Sequence, residues 1–354
     1  MDNTTWLVEG IDLDSGEPTE LAITDGALAA GPASGAERLP GRFVLGGLVD
    51  AHCHLSLDFG GQRPPGTAEV VADALRANLH AGVLLARDVG APVGVRLGGD
   101  HDDGPLVLAA GRFLAPPHGY LPWLFEGVPA EAVAQVALDE LAASGSGWVK
   151  LVFDFPEHFT SLESLLEAVP NYPPEVAVAL CRAVHEAGGR VAAHVSGPGD
   201  AALAVSVGVD SLEHGHDVPL DDLADLGRRG GAWTPTLTTV WRDVLAHMPG
   251  AGAVEAHYRE ALAAATGAGV VVLAGTDAGG HGTIADEIAL LASLGLTPEQ
   301  ALASASSAAR DYLGQPGLVL GQPADLVTYE DDPRADLDVL RRPAAVIRKG
   351  RRIA

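Results

Sequence analysis

The chain has 354 residues, 47% hydrophobic and 19% charged, a globular composition with core material for about two domains. Its 47 Asp and Glu against 22 Lys and Arg give a formal charge of -25, which repels phosphate backbones and anionic membranes and argues against nucleic-acid or membrane partners. Two cysteines, Cys53 and Cys181, exclude a disulfide framework and a cysteine-rich zinc module.

In chain order, residues 1–45 read as short strands (Trp6 to Val8, Leu21 to Thr24, Ala27 to Ala29, Arg42 to Leu45) cut by Gly, Pro, Asp and Ser. The start MDNTTWLVEG carries no basic and apolar leader pattern, and no run of about 18 apolar residues follows, so a cytoplasmic location is expected. Residues 46–317 then alternate strand and helix. Eight apolar, β-branched runs stand between turn residues: Val44 to Ala51, Gly82 to Arg87, Pro105 to Ala110, Trp148 to Phe153, Arg190 to Val195, Val209 to Glu213, Gly231 to Leu237 and Val270 to Thr276. Between them lie helical stretches such as Ala68 to His80, Ala130 to Ala143, Glu175 to Ala187, Leu220 to Arg229 and Glu255 to Thr266. Many close on glycine, at Gly82, Gly145, Gly188 and Gly267. Eight such units predict an α/β fold of the (β/α)8 TIM-barrel type, with an open doubly wound sheet as the alternative. Residues 318–354 return to strands, Ala324 to Tyr329 and Ala344 to Arg348.

A barrel of this kind carries its reactive groups at the C-terminal ends of its strands. Those ends hold His52 and His54, Asp88, Lys150, His194, Glu213 with His214, and Asp277. His52 and His54 are two apart, so both imidazoles share the interior face while Cys53 points away. Imidazole and carboxylate together suit Zn²⁺, and also Mn²⁺, Fe²⁺ or Ni²⁺. Asp277 ends an apolar run, where a carboxylate is costly to bury without a metal or a donor; a helix N-cap is the other reading. Lys150 lies in an apolar strand of a chain whose 22 basic residues include only one other lysine, Lys349. Either it snorkels to the rim, or the site needs an amine that can be neutral or modified, which guanidinium cannot be.

With these residues assembled, the sequence resembles the amidohydrolase superfamily, especially its prolidase-like and imidazolonepropionase-like members. The resemblance rests on Gly46 to His54 (GGLVDAHCH), Ala81 to Gly90, Val191 to His194, Gly208 to Gly215, Thr234 to Thr236, Ala274 to Gly279, Pro298 to Leu302 and Leu320 to Val327. It implies a distorted (β/α)8 barrel at 46–317 and a small β-sandwich built from 1–45 and 318–354. It also implies metal ligation by His52, His54, His194, His214 and Asp277, with Lys150 carboxylated to bridge two ions, Zn²⁺ being the expected metal. In such a site a hydroxide bridging the metals attacks a carbonyl C–N bond, and Asp277 shuttles the proton to the leaving amine, with His214 as the second catalytic group.

Expected substrates are small molecules: N-acyl amino acids, dipeptides or cyclic amides, with a lactone or ester hydrolase or a non-catalytic scaffold as alternatives. A homo-oligomer is compatible with the chain. The loop after the third run places His118, Tyr120 and Trp123 as candidate substrate contacts, and Arg242, after the seventh run, is a candidate clamp for a substrate carboxylate. His216 and His281 are expected near the rim, and His185 as a helix packing residue.

Overall fold

The computed structural model describes residues 5–121, 123–156, 168–243, 245–247 and 250–354. Each of the eight expected runs overlaps a strand. Phe113–Leu114, Trp148–Val152, Arg190–Val195, Ser211–His214, Ala232–Thr234 and Val271–Val272 form a six-stranded parallel sheet. Leu48–Cys53, Val83–Asp88 and Leu106–Ala109 form a second parallel ladder, edged by the antiparallel Gly99–Asp100. Both strands Leu48–Cys53 and Val83–Asp88 are buried along their whole length. That is why these runs are continuously apolar rather than alternating: helices cover one face and the sheet's own interior the other.

The two parallel sheets curl toward each other. On one side Cys53 bridges Asp277, and the Ala51 amide donates to Ala274 O at 2.9 Å. On the other side the third run pairs as Leu106–Ala109 with one sheet, and Phe113–Leu114, just beyond it, pairs with the other. Gly111 makes that bend at φ 76°, a left-handed conformation that favours glycine. Val49, Leu85, Leu108, Trp148, Ala192, Ala232 and Leu273 pack on the inner face.

The helices sit close to their expected spans: Ala68–His80, Val133–Ser144, Pro174–Glu186 and Leu220–Arg228. The helix expected at 255–266 is longer, Ala251–Ala268, and Gly267 lies inside it. Gly269, at φ 77°, ends it by donating to Ala265 and Thr266 carbonyls. The strands of both chain ends pair into one eight-stranded sheet, with Leu326–Tyr329 antiparallel to Phe43–Leu45. Buried Arg348 ties this sheet to the parallel layers through Asp325, Asp100 and Gly104 O. No described helix is long and apolar enough to cross a membrane.

Candidate metal centre

His52 is the penultimate residue of the strand Leu48–Cys53, and His54 follows the strand. Asp277 is drawn against them by its own backbone, whose amide donates to His52 O at 2.7 Å. Asp50 reinforces the join, accepting from Thr276 N at 3.1 Å, Thr276 Oγ1 at 2.6 Å and His52 N at 3.3 Å. Burial pushes this carboxyl up to about 6 against those bonds. His214, Thr236 and Asp277 take φ of 71°, 51° and 48°. Such left-handed non-glycine residues are costly and cluster where side chains are aimed for a task.

One ligand atom each of His52, His54 and Asp277 lies within 4.8 Å of the others. The Asp277 carboxylate is 3.2 Å from His54 Nε2 and 3.6 Å from His52 Nε2. The His214 ring stands 4.9 Å from that of His52, and His194 stands 4.4 Å from His214. The candidate ligands of the first, fifth, sixth and eighth runs thus form one contiguous cluster.

The tautomers are decided by the second partners. His52 Nδ1 is 2.6 Å from Glu213, and His54 Nδ1 is 2.9 Å from Gly90 O. Both partners are acceptors, so both rings donate from Nδ1 and turn an Nε2 lone pair toward the Asp277 carboxylate. Thr236 Oγ1 donates to Pro235 O, so it accepts from His214 Nδ1 at 2.7 Å, which frees His214 Nε2 as well. Lone pairs facing a carboxylate need a proton or a metal cation between them, and committed Nδ1 donors are how ligating histidines are held.

Electrostatics agree. Burial and the Lys150 charge push His52 down to about 4, against the pull of Glu213. Burial drives His194 and His214 well below the ordinary imidazole value, so both are neutral at pH 7. Burial alone would raise Asp277, but the His54 bond and the charges of His52, His54 and Lys150 outweigh it and hold the carboxyl below its usual range. Lys150 is 2% exposed, and burial pushes its amine down to about 8. Its Nζ and His52 Nε2 are buried with no hydrogen-bond partner among the described residues. Orphaned polar atoms of this kind are rare in folded chains. They fit a site that completes itself with a metal.

The Amidohydrolase family profile matches residues 43–353 of this chain. The protein is a member of the amidohydrolase family. Uncharacterized proteins of Mycobacterium bovis and Mycobacterium tuberculosis are 37% identical to it over 97% of this chain and 94% of theirs. Among solved structures, a Xaa-Pro dipeptidase with bound methionine superposes with a TM-score of 0.79 at 22% identity, covering 99% of both chains. The ochratoxinase of A. niger gives a TM-score of 0.79 at 18% identity, covering 99% of this chain and 95% of its own.

In this amidohydrolase a cavity of about 620 Å³ opens above the cluster, bordered by His54, His194, His214, His216 and Asp277. Tyr120 and Trp123 line it, Trp123 at its mouth with 65% exposure. His118 does not line it: it is exposed on the same loop, at φ 68°. Arg242 does not line it either, because Asp243 and Asp286 take up its guanidinium. His216, expected at the rim, is buried, with Nδ1 3.3 Å from Tyr258 OH. His281 is half-buried and donates to Leu57 O. His185 is exposed and bonded to Asp210 at 2.8 Å instead of packing.

Several supporting residues carry no local signal. Arg87, fully buried, bonds Glu213 at 2.8 Å and Ala51 O at 2.6 Å, and its guanidinium lies 4.5 Å over Trp148. It anchors the carboxylate that orients His52. Phe155, Leu57 and Phe59 complete the cavity wall. Glu287 accepts from the amides of Leu237 and Thr238 at 2.8 and 2.7 Å, fixing the turn Thr238–Arg242 that brings Thr239 and Val240 to the cavity.

Burial pushes Glu287 from 4.5 up to about 7, against those two bonds. A carboxyl raised on folding contributes stability below its unfolded value, and loses it as pH rises through the folded one. The metal-free protein should therefore lose about 3 kcal/mol relative to Glu287→Gln between about pH 4.5 and 7. Urea unfolding of both proteins across that range reads the difference; parallel curves would contradict it.

Proposed function

We propose that this amidohydrolase is a metal-dependent hydrolase of carbonyl C–N bonds in a small molecule, such as an N-acyl amino acid, a dipeptide or a cyclic amide. The observation that carries the reading is the pair of orphaned buried atoms, Lys150 Nζ and His52 Nε2, beside the His52–His54–Asp277 cluster. His52, His54 and Asp277 would hold one divalent ion and His194 with His214 a second, Zn²⁺ suiting this set. Lys150, as a carbamate, would supply the anionic oxygens between them. The curled sheets would close as a (β/α)8 barrel over 46–317, with 1–45 and 318–354 as a β-sandwich. When bound, such ions supply Lewis acidity toward a carbonyl and lower the pKa of water to about 7.

The chain's own groups do the rest. Asp277 is ionised, 16% exposed toward the cavity, and placed to take a proton from the attacking water. As water oxygen bonds to the carbonyl carbon and the C–N bond breaks, the same carboxyl passes that proton to the leaving nitrogen. His214, held by Thr236, stays neutral beside it. Tyr120, Phe155 and Leu57 exclude bulk water from the reacting carbonyl.

Chelation tests the metal requirement. Protein stripped by a chelator should lose turnover in a screen of dipeptides, N-acyl amino acids and lactones, and regain it with Zn²⁺. Turnover that survives complete stripping would contradict the proposal.

A further inference from the structure

The cavity wall is apolar and aromatic: Leu57, Phe59, Tyr120, Leu121, Trp123 and Phe155. Tyr120 stands edge-on to Phe155, with ring centroids 4.8 Å apart, and tilts against Phe113 at 5.2 Å. Among the described residues, apart from the histidines and Asp277, the charged residues of the lining are Asp58 and Arg63. The residues outside the described set contain no Arg or Lys, so every such cation of the chain is accounted for.

Arg63 is already engaged. Its Nε donates to Asp58 Oδ2 at 3.2 Å and its Nη1 to Asp73 Oδ2 at 2.5 Å, while its backbone amide also donates to Asp58 at 3.0 Å. The Arg63 bonds in turn hold the Asp58 carboxyl below its usual range. Arg242 is tied to Asp243 and Asp286 off the wall. Away from the metal-site histidines, a substrate carboxylate would find no free Lys or Arg among the described lining residues. It would face Asp58 and Asp277 in a chain of formal charge -25. Leaving its hydration without a partner is costly.

We propose that the cavity selects an uncharged substrate, an amide whose acyl side ends in an aryl or bulky alkyl group, and rejects carboxylate-bearing substrates. This rests on the hydrolase reading above and narrows it, away from dipeptides and N-acyl amino acids. The Asp58–Arg63 pair is the specificity determinant: it satisfies internally the one Lys or Arg among the described lining residues.

The test uses the Zn²⁺-loaded protein and three p-nitroanilides of similar length, with 4-phenylbutanoyl, glutaryl and 4-(trimethylammonio)butanoyl acyl groups. The phenyl compound should exceed the glutaryl one in kcat/KM by about 100-fold. Equal or better turnover of the glutaryl or ammonium compound overturns the proposal. Asp58→Asn releases one arm of Arg63, so the glutaryl-to-phenyl ratio should rise by about 10-fold; an unchanged ratio overturns the role of the pair. Calorimetric titration of the anilides into the His52→Ala, His54→Ala variant separates binding from hydrolysis. If they bind it in the order phenyl before glutaryl and the wild type cleaves none, the hydrolase reading falls and the selectivity stands. If the wild type cleaves the glutaryl compound best, the reverse holds. Absence of binding by the phenyl compound to either protein overturns the selectivity.

Discussion

Replacing both His52 and His54 with alanine is expected to bring turnover to background and to remove bound divalent metal. Each ring is locked by an Nδ1 bond, to Glu213 and to Gly90 O, and each presents Nε2 to Asp277. The double change removes two of the three clustered groups and leaves the Asp277 carboxylate without its neighbours. Purified wild-type protein should carry one to two divalent ions per chain by elemental analysis, and the variant none. Both rings sit at the end of a strand whose pairing is set by backbone bonds, so far-ultraviolet circular dichroism should remain that of the wild type. Undiminished hydrolysis by the variant would contradict the account.

The second large effect concerns Lys150. An ammonium beside two dications is repelled by about 4 kcal/mol per unit-charge pair at 4 Å, even at an effective dielectric near 20. Lys150→Arg keeps the charge and cannot be carboxylated, so it should lose metal and activity together. Lys150→Ala removes the charge and leaves a gap in the cluster, so a short carboxylic acid plus metal should restore part of the activity. Full activity of Lys150→Arg would contradict the carbamate, as would a Lys150→Ala variant that binds two ions and turns over without added acid.

Much of this was legible because particular residues broke the chain's habits. A lysine in an apolar strand stands out where all but one of the other Lys and Arg residues are arginine, and the structure finds Lys150 buried and unpartnered among the described residues. The eight strand runs were visible because strands covered on both faces become continuously apolar. The supporting residues were not legible, because their partners are remote in sequence. Arg87 meets Glu213 across 126 positions, and Arg242 meets Asp286 across 44. Asp243, next to Arg242, takes two of its nitrogens, but nothing local shows that Asp286 takes the third. His118 and Tyr120, two apart on one loop, looked equivalent, yet only Tyr120 lines the cavity; loop direction is set by packing against Phe113 and Phe155. The helix stop at Gly269, not Gly267, was likewise invisible, since both glycines follow the same apolar run.

Anomalous X-ray diffraction from crystals of the Zn²⁺-loaded protein, recorded at the zinc edge, tests the centre most directly. The account predicts two anomalous peaks per chain among His52, His54, His194, His214 and Asp277, with density extending past Lys150 Nζ by a carboxylate. An unmodified lysine beside two fully occupied peaks would contradict the bridge, and the absence of any peak at His52, His54 and Asp277 would contradict the metal centre itself.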